Sequence, residues 1–259
     1  MRLRAGCDLT LEAAADSPMV AMLRPRSGLG QWVVSEKYLH EPCVPVVEYV
    51  DAYGNLCQRM VVPKGSAHIR VEVVVESADE IAVARDAPRV PIEDLPDAAL
   101  QFLLGSRYCP SDMLVDLASD VTARCQPGYA QVEAIRAYVR DNIAYRYGVS
   151  TASTDARDTL RDRAGVCRDF AHVGMSLTRA LGIPARMVVG WLHGLEPMDL
   201  HAWFEAFVGG RWYTFDATQP EPRGGRIVVA YGRDAADVAL ITEYGPLETR
   251  AMKVWVERA

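Results

Sequence analysis

The sequence predicts an α+β fold in two parts: an N-terminal antiparallel β-sandwich over residues 1–92, then a domain of mixed helices and strands over residues 93–259. Three observations predict it. Through Glu76 the chain runs in short stretches of alternating apolar and polar residues broken by Gly, Pro and Asn, the pattern of an antiparallel sandwich or barrel. Pro88, Pro91 and Pro96 then crowd into Asp86–Pro96 and mark a boundary. Beyond it the apolar spacing lengthens to the helical period, until aromatic-rich strands return.

Each element follows from its own residues. In Met1–Leu11 the odd positions Leu3, Ala5, Cys7, Leu9 and Leu11 are apolar, with Arg2, Arg4, Asp8 and Thr10 between them. Val46–Ala52 leads through the turn Tyr53-Gly54-Asn55 into Leu56–Val62, and Ile69, Val71, Val73 and Val75 line one face of His68–Glu76. After the prolines, Met113, Leu114, Leu117 and Val121 share a helical face. Val132, Ile135, Tyr138, Val139 and Asn142 mark a second helix, which starts after Pro127-Gly128. Val166, Phe170, Val173, Leu177 and Leu181 mark a third, stopped by Gly182 and Pro184. Arg186–Trp191 reads as a strand. Two aromatic-rich runs, His201–Val208 and Arg211–Asp216, flank Gly209-Gly210 and predict a hairpin with a two-residue turn. Gln219–Gly225, rich in Pro and Gly, reads as a loop.

That arrangement brings three reactive residue types together. Cys167 falls in the first turn of its helix, where free backbone N–H groups and the helix dipole favour an anion. In the Gly-Gly register His201 faces Thr218, so Asp216 is its diagonal neighbour on the same face, about 7–8 Å away at the backbone. A histidine takes the thiol proton and later delivers it to the leaving group, while a carboxylate fixes the imidazole tautomer and stabilises its charged form. The backbone N–H of Cys167 is a natural oxyanion donor. Taken singly, each residue has a bland reading: a buried thiol, an ordinary strand histidine, a turn aspartate before Thr218-Gln219-Pro220. Their combination is what points to a nucleophile. Arg168, Asp169 and His172 read as a buried network anchoring the helix, because His172 lies about 140° around it from Cys167. Trp191, Trp203 and Trp212 read as packing residues, and His193 lies in a loop near the site.

These blocks resemble the transglutaminase-like superfamily, the papain-related group that includes bacterial transglutaminase-like cysteine peptidases. The resemblance is carried by Arg163–His172 continuing through Arg179–Arg186, by His201–Glu205, and by Trp212–Thr218. Ser106–Asp112 and Tyr231–Val238 are similar to flanking segments of bacterial members. Ala217 departs from the proline common there, and Leu240–Gly245 is only loosely similar. The resemblance implies a papain-like, transglutaminase-like catalytic domain behind an N-terminal β domain. Cys167 would be the nucleophile, His201 the general base and acid, and Asp216 the orienting carboxylate. It also implies Tyr145 or Tyr147 as a second oxyanion donor. The implied activity is thiol-dependent cleavage of amide bonds in a protein or peptide through a Cys167 acyl-enzyme. Transfer of the acyl group to an amine is the alternative, since the chemistry up to the acyl-enzyme is the same. A non-catalytic protein-binding module on this fold is the alternative of another class.

Composition excludes other classes. With 259 residues, 50% of them hydrophobic, and a net charge of -6, the chain carries no electrostatic footprint for nucleic acid. No apolar run reaches the length of a membrane helix. Met1–Cys7 ends like a lipoprotein cleavage box but has no apolar stretch before it, so a cytoplasmic location is expected. The six cysteines, Cys7, Cys43, Cys57, Cys109, Cys125 and Cys167, form no C-x-x-C pair, and reduced thiols with no metal or cofactor are expected. Cys109, before Pro110, reads as structural, and His40 and His68 show no ligand spacing.

Overall fold

In the computed structural model, which describes residues 1–28 and 30–259, the alternating first residues form β1 (Arg2–Ala13). Its partner β6 (Gly65–Ser77) sets Val75, Val73, Val71 and Ile69 opposite Leu3, Ala5, Cys7 and Leu9, so the two apolar faces coincide. Between them come β2 (Ser17–Arg24), β3 (Gln31–Glu41), β4 (Val46–Val50) and β5 (Leu56–Val62). The helices are α1 (Asp97–Leu100), α2 (Val115–Thr122), α3 (Tyr129–Asn142), α4 (Ala156–Asp162) and α5 (Cys167–Ala180). Two short strands, β7 (Ala144–Tyr145) and β8 (Ala164–Gly165), pair in parallel before α5. The chain then forms β9 (Ala185–Leu192), β10 (His201–Val208), β11 (Arg211–Phe215), β12 (Arg226–Gly232), β13 (Ile241–Glu243) and β14 (Leu247–Arg258).

Three antiparallel sheets of four strands result, ordered β14-β1-β6-β3, β13-β2-β5-β4 and β11-β10-β9-β12. The expected unit of residues 93–259 is corrected here: β13 pairs with β2 and β14 with β1, so the end of the chain lies in the N-terminal sheets. The reason is physical. β13 has three residues, and β14 is an edge strand whose side chains are largely exposed, so neither shows the apolar alternation that reveals a half-buried strand. One hydrophobic core runs through both parts, from Leu3 and Met19 to Trp191, Phe204 and Val256.

A second cluster lies under the helices, where Phe170, Val173 and Leu177 of α5 meet Ile135 and Val139 of α3. α5 is buried nearly all round, and several of its polar side chains bond within the protein. The Ser176 hydroxyl donates to the His172 carbonyl, and the Arg179 guanidinium donates to the Ala185, Leu104 and Arg233 carbonyls. Met113, expected on a helical face, instead lies in a 3-10 turn and is exposed.

The free edge of β12 is covered in an unusual way. The Gln31 carboxamide donates from Nε2 to the Val228 carbonyl (2.8 Å) and accepts at Oε1 from the Val228 N–H (2.7 Å). Asn55 repeats this at Tyr231, with both bonds at 2.8 Å. Gly225 N–H donates to the Ala78 carbonyl, and the Ser77 hydroxyl donates to the Arg226 carbonyl. Side chains and backbone from the N-terminal region thus stand where a neighbouring strand would.

Candidate active site

Cys167 opens α5 because β7 and β8 fix the chain before it: Arg146 N–H donates to the Gly165 carbonyl at 2.9 Å. The Asp169 carboxylate accepts the Val166 N–H at 2.9 Å, closing the helix start as an acidic residue in a first turn does. The thiol is half-buried, not sealed in.

The hairpin has the expected register. Phe204 faces Phe215 and Val208 faces Arg211, and the turn residues Gly209 and Gly210 have φ of 55° and 83°, conformations open to glycine. Asp216 follows directly on the last pair, but His201 lies three residues beyond Phe204. The expected facing of His201 and Thr218 is not formed, because β11 ends at Phe215 and the chain turns, and His201 pairs with Gly190 of β9 instead. The His201 Nε2 and Asp216 Oδ2 are 2.8 Å apart, with the residues 3% and 6% exposed. The Cys167 side chain lies near enough to the same imidazole to raise its proton affinity. Nε2 is taken by Asp216, so Nδ1 is the ring nitrogen left for the sulfur. All three residues singled out in the sequence therefore converge.

The electrostatics follow from that contact. Burial lowers the proton affinity of His201, but the charge and hydrogen bond of Asp216, then those of Cys167, outweigh it and raise its pKa to about 9. Burial pushes the Asp216 carboxyl up, yet Arg226 and then His201 hold it well below the usual carboxylate range. Such a pair is an imidazolium–carboxylate ion pair at neutral pH.

Two further residues hold Asp216. Arg226, the first residue of β12, donates from Nη2 to Oδ2 at 2.8 Å and is 7% exposed. Thr218 donates to Oδ1 twice, from its backbone N–H at 3.0 Å and its hydroxyl at 2.7 Å. Asp216 is thus a turn residue and a histidine partner at once. The only signal for Arg226 was a lone charge at the head of the apolar run Ile227–Ala230, directly after Gly224-Gly225.

Tyr145 also lies near Cys167. Partial burial, then Cys167 and Tyr147, push its phenol up, while a hydrogen bond from the Cys167 backbone pulls it down. Its ring lies 5.5 Å from that of Tyr147. Of the two tyrosines, Tyr145 is the one whose phenol responds to Cys167, and Tyr147 packs against it. His172 stands apart, fully buried, with its Nε2 accepting the Ala235 N–H at 3.2 Å and its ring stacked on Tyr108. Burial lowers its pKa to about 4. Cys109 is buried, and burial raises its pKa to about 11. Trp203 does more than fill space: its ring lies 5.9 Å from His201 and 4.8 Å from the Arg226 guanidinium. His193 is in the loop between β9 and β10, tied by its backbone to Gly225 and Arg223. Among the described residues no helix is long and apolar enough to cross a membrane.

Comparison with known proteins adds to this geometry. Residues 115–217, which include Cys167, His201 and Asp216, match the model of the transglutaminase-like superfamily. Residues 12–77 match the bacterial transglutaminase-like N-terminal region. An uncharacterized protein of Mycobacterium leprae is 29% identical over 236 residues, which cover 85% of this chain and 83% of that protein. One from Mycobacterium tuberculosis is 30% identical over 160 residues, 56% of this chain and 46% of that larger protein. The crystal structure of a candidate cysteine protease from Cytophaga hutchinsonii superposes with a TM-score of 0.93 at 32% identity, covering 99% of this chain and 90% of that one.

Proposed function

This chain belongs to the transglutaminase-like superfamily, and we propose that within it the protein is a hydrolase that cleaves amide bonds of a protein or peptide through a thioester on Cys167. The observation that carries the reading is His201, buried between the Cys167 thiol and the Asp216 carboxylate. The sulfur attacks the carbonyl carbon, and the oxyanion forms beside the Cys167 backbone N–H, with the Tyr145 phenol as second donor. His201 carries the thiol proton to the departing amine, and the C–N bond breaks. Water, deprotonated by His201, then attacks the thioester and releases the acid. The likeness to the Cytophaga hutchinsonii protein supports hydrolysis over transfer to an amine. The same reading takes the N-terminal sheets as a β-sandwich and the remainder as a papain-like domain. It takes the location as cytoplasmic, which six unbridged thiols support.

The test is turnover of protein and glutamine-peptide substrates with and without an added primary amine. Free acid is expected; covalent amine incorporation instead would make the protein a transglutaminase. Cys167→Ser and His201→Ala should both nearly abolish turnover, and Asp216→Asn should lower it less. Full activity in Cys167→Ser would defeat the reading. So would a wild-type protein that forms no adduct on Cys167 with any cysteine-directed probe, which would favour a binding module.

A further inference from the structure

We propose that Arg226 is a positioning residue for the His201–Asp216 pair: it anchors the carboxylate that orients the imidazole, and the N-terminal sheets hold it there. The proposal rests on the triad reading above and adds to it a residue beyond the matched span of 115–217.

The first argument is the filling of the carboxylate. His201 Nε2 and Arg226 Nη2 share Oδ2, both at 2.8 Å, while Thr218 occupies Oδ1 with two donors. With both oxygens occupied by fixed donors the carboxylate cannot rotate away from the imidazole. The second argument is what Arg226 gives up. A buried ion pair is a weak source of stability, because desolvation consumes the Coulombic gain unless every polar atom is paired. Arg226 Nη1 is buried with no partner, so packing alone does not account for a guanidinium here. The third argument is how tightly it is held. Nε donates to the Arg223 carbonyl, and the plane lies over Trp203. Its own carbonyl accepts from Ser77, and the strand it heads is gripped by Ala78, Gln31 and Asn55. The N-terminal sheets thus have a route to the reacting groups through one side chain.

A cation next to two coupled acids lowers the proton affinity of both, so removing it raises both. The other charged and titratable groups around the pair are Cys167 of α5, Tyr129, Glu133 and Arg136 of α3, and Glu221 and Arg223 of the following loop. All of them remain in the kinetic variants below, and all but Cys167 remain in the protein used for the NMR titration, where Cys167→Ala is common to every sample compared.

The experiment has two readouts. The His201 imidazole is titrated by 15N NMR in Cys167→Ala protein, alone and combined with Arg226→Gln or Arg226→Lys. In protein with Cys167 intact, kcat/KM is followed against pH for the same Arg226 substitutions. Arg226→Gln is expected to move the imidazole titration and the alkaline limb of the profile upward by about one unit or more. Arg226→Lys, which keeps the charge, should return both towards their starting positions. A residue that only packs would lower turnover without moving the titration. An unmoved titration in Arg226→Gln, or Arg226→Lys behaving like it, overturns the proposal. Should Arg226→Gln not fold, the unsubstituted protein decides: the Arg226 guanidinium 15N signals must shift with the His201 midpoint, and no response overturns the proposal. A moved titration in a protein that cleaves no amide defeats the hydrolase reading and leaves Arg226 its role. Normal turnover with an unmoved titration defeats Arg226 alone.

Discussion

Gly174→Ala tests how closely the spacing of α5 and β10 governs the site. A Cβ at Gly174 would lie 2.5 Å from Phe204 Cε1, 2.9 Å from Cζ and 3.0 Å from Cδ1. Carbon atoms rest at about 3.5–4.0 Å, so the methyl needs roughly 1 Å of room. Phe204 has nowhere to go, being fully buried and stacked on Phe215 with centroids 5.6 Å apart. Helix propensity favours alanine over glycine by about 1 kcal/mol. Overpacking costs about 1–3 kcal/mol, and a contact this short places the cost at the upper end, leaving a net loss of up to about 2 kcal/mol. The functional loss should be larger. Cys167 lies seven residues before Gly174, about two turns up the same side of the helix, so a helix pushed off the sheet carries the thiol away from His201. A misplacement of about 1 Å costs on the order of 100-fold in rate. Urea midpoints and kcat/KM on a peptide substrate measure both terms. A variant more stable than wild type, with unchanged turnover, would refute the reasoning.

Cys167 is expected to take up limiting iodoacetamide at neutral pH ahead of exposed Cys43, because it stands in the first turn of α5 near the His201 imidazole; peptide mapping decides, and faster labelling of Cys43 counts against the assignment. Stability should peak near pH 6.5. His172, lowered to about 4 by burial, contributes stability above the unfolded value of about 6.5 that is lost as pH falls towards 4, about 3 kcal/mol in all. His201, raised to about 9 against the effect of burial, contributes stability below about 6.5 that is lost as pH climbs through 9. His172→Gln, which keeps an acceptor for the Ala235 N–H, should flatten the acid side, and His201→Gln the alkaline side; urea midpoints with unchanged slopes would contradict this.

The contact of His201 with Asp216 and the place of Cys167 at the start of α5 were legible because local rules fix them. Gly209-Gly210 fixes the hairpin register, and the apolar spacing of α5 puts Cys167 in its first turn. Arg226 was not legible, because its partner is set by a strand that pairs with β9 across a bulge and by contacts with residues far back in the chain. The division at residue 92 failed for a related reason. β14 completes its sheet through backbone pairing with β1, which leaves little mark on side-chain pattern. The strands that alternate cleanly, β1 and β6, are the central pair of that sheet.

The carboxamides of Gln31 and Asn55 have a consequence for handling the two parts separately. An open strand edge is a template on which other chains assemble. Here the stopper for β12 arrives from the opposite end of the sequence, 197 and 176 residues away. A chain cut at residue 92 loses it, and bares unpaired N–H and C=O groups on the strand that begins at Arg226. Such a fragment would aggregate edge to edge through the same sheet that carries His201.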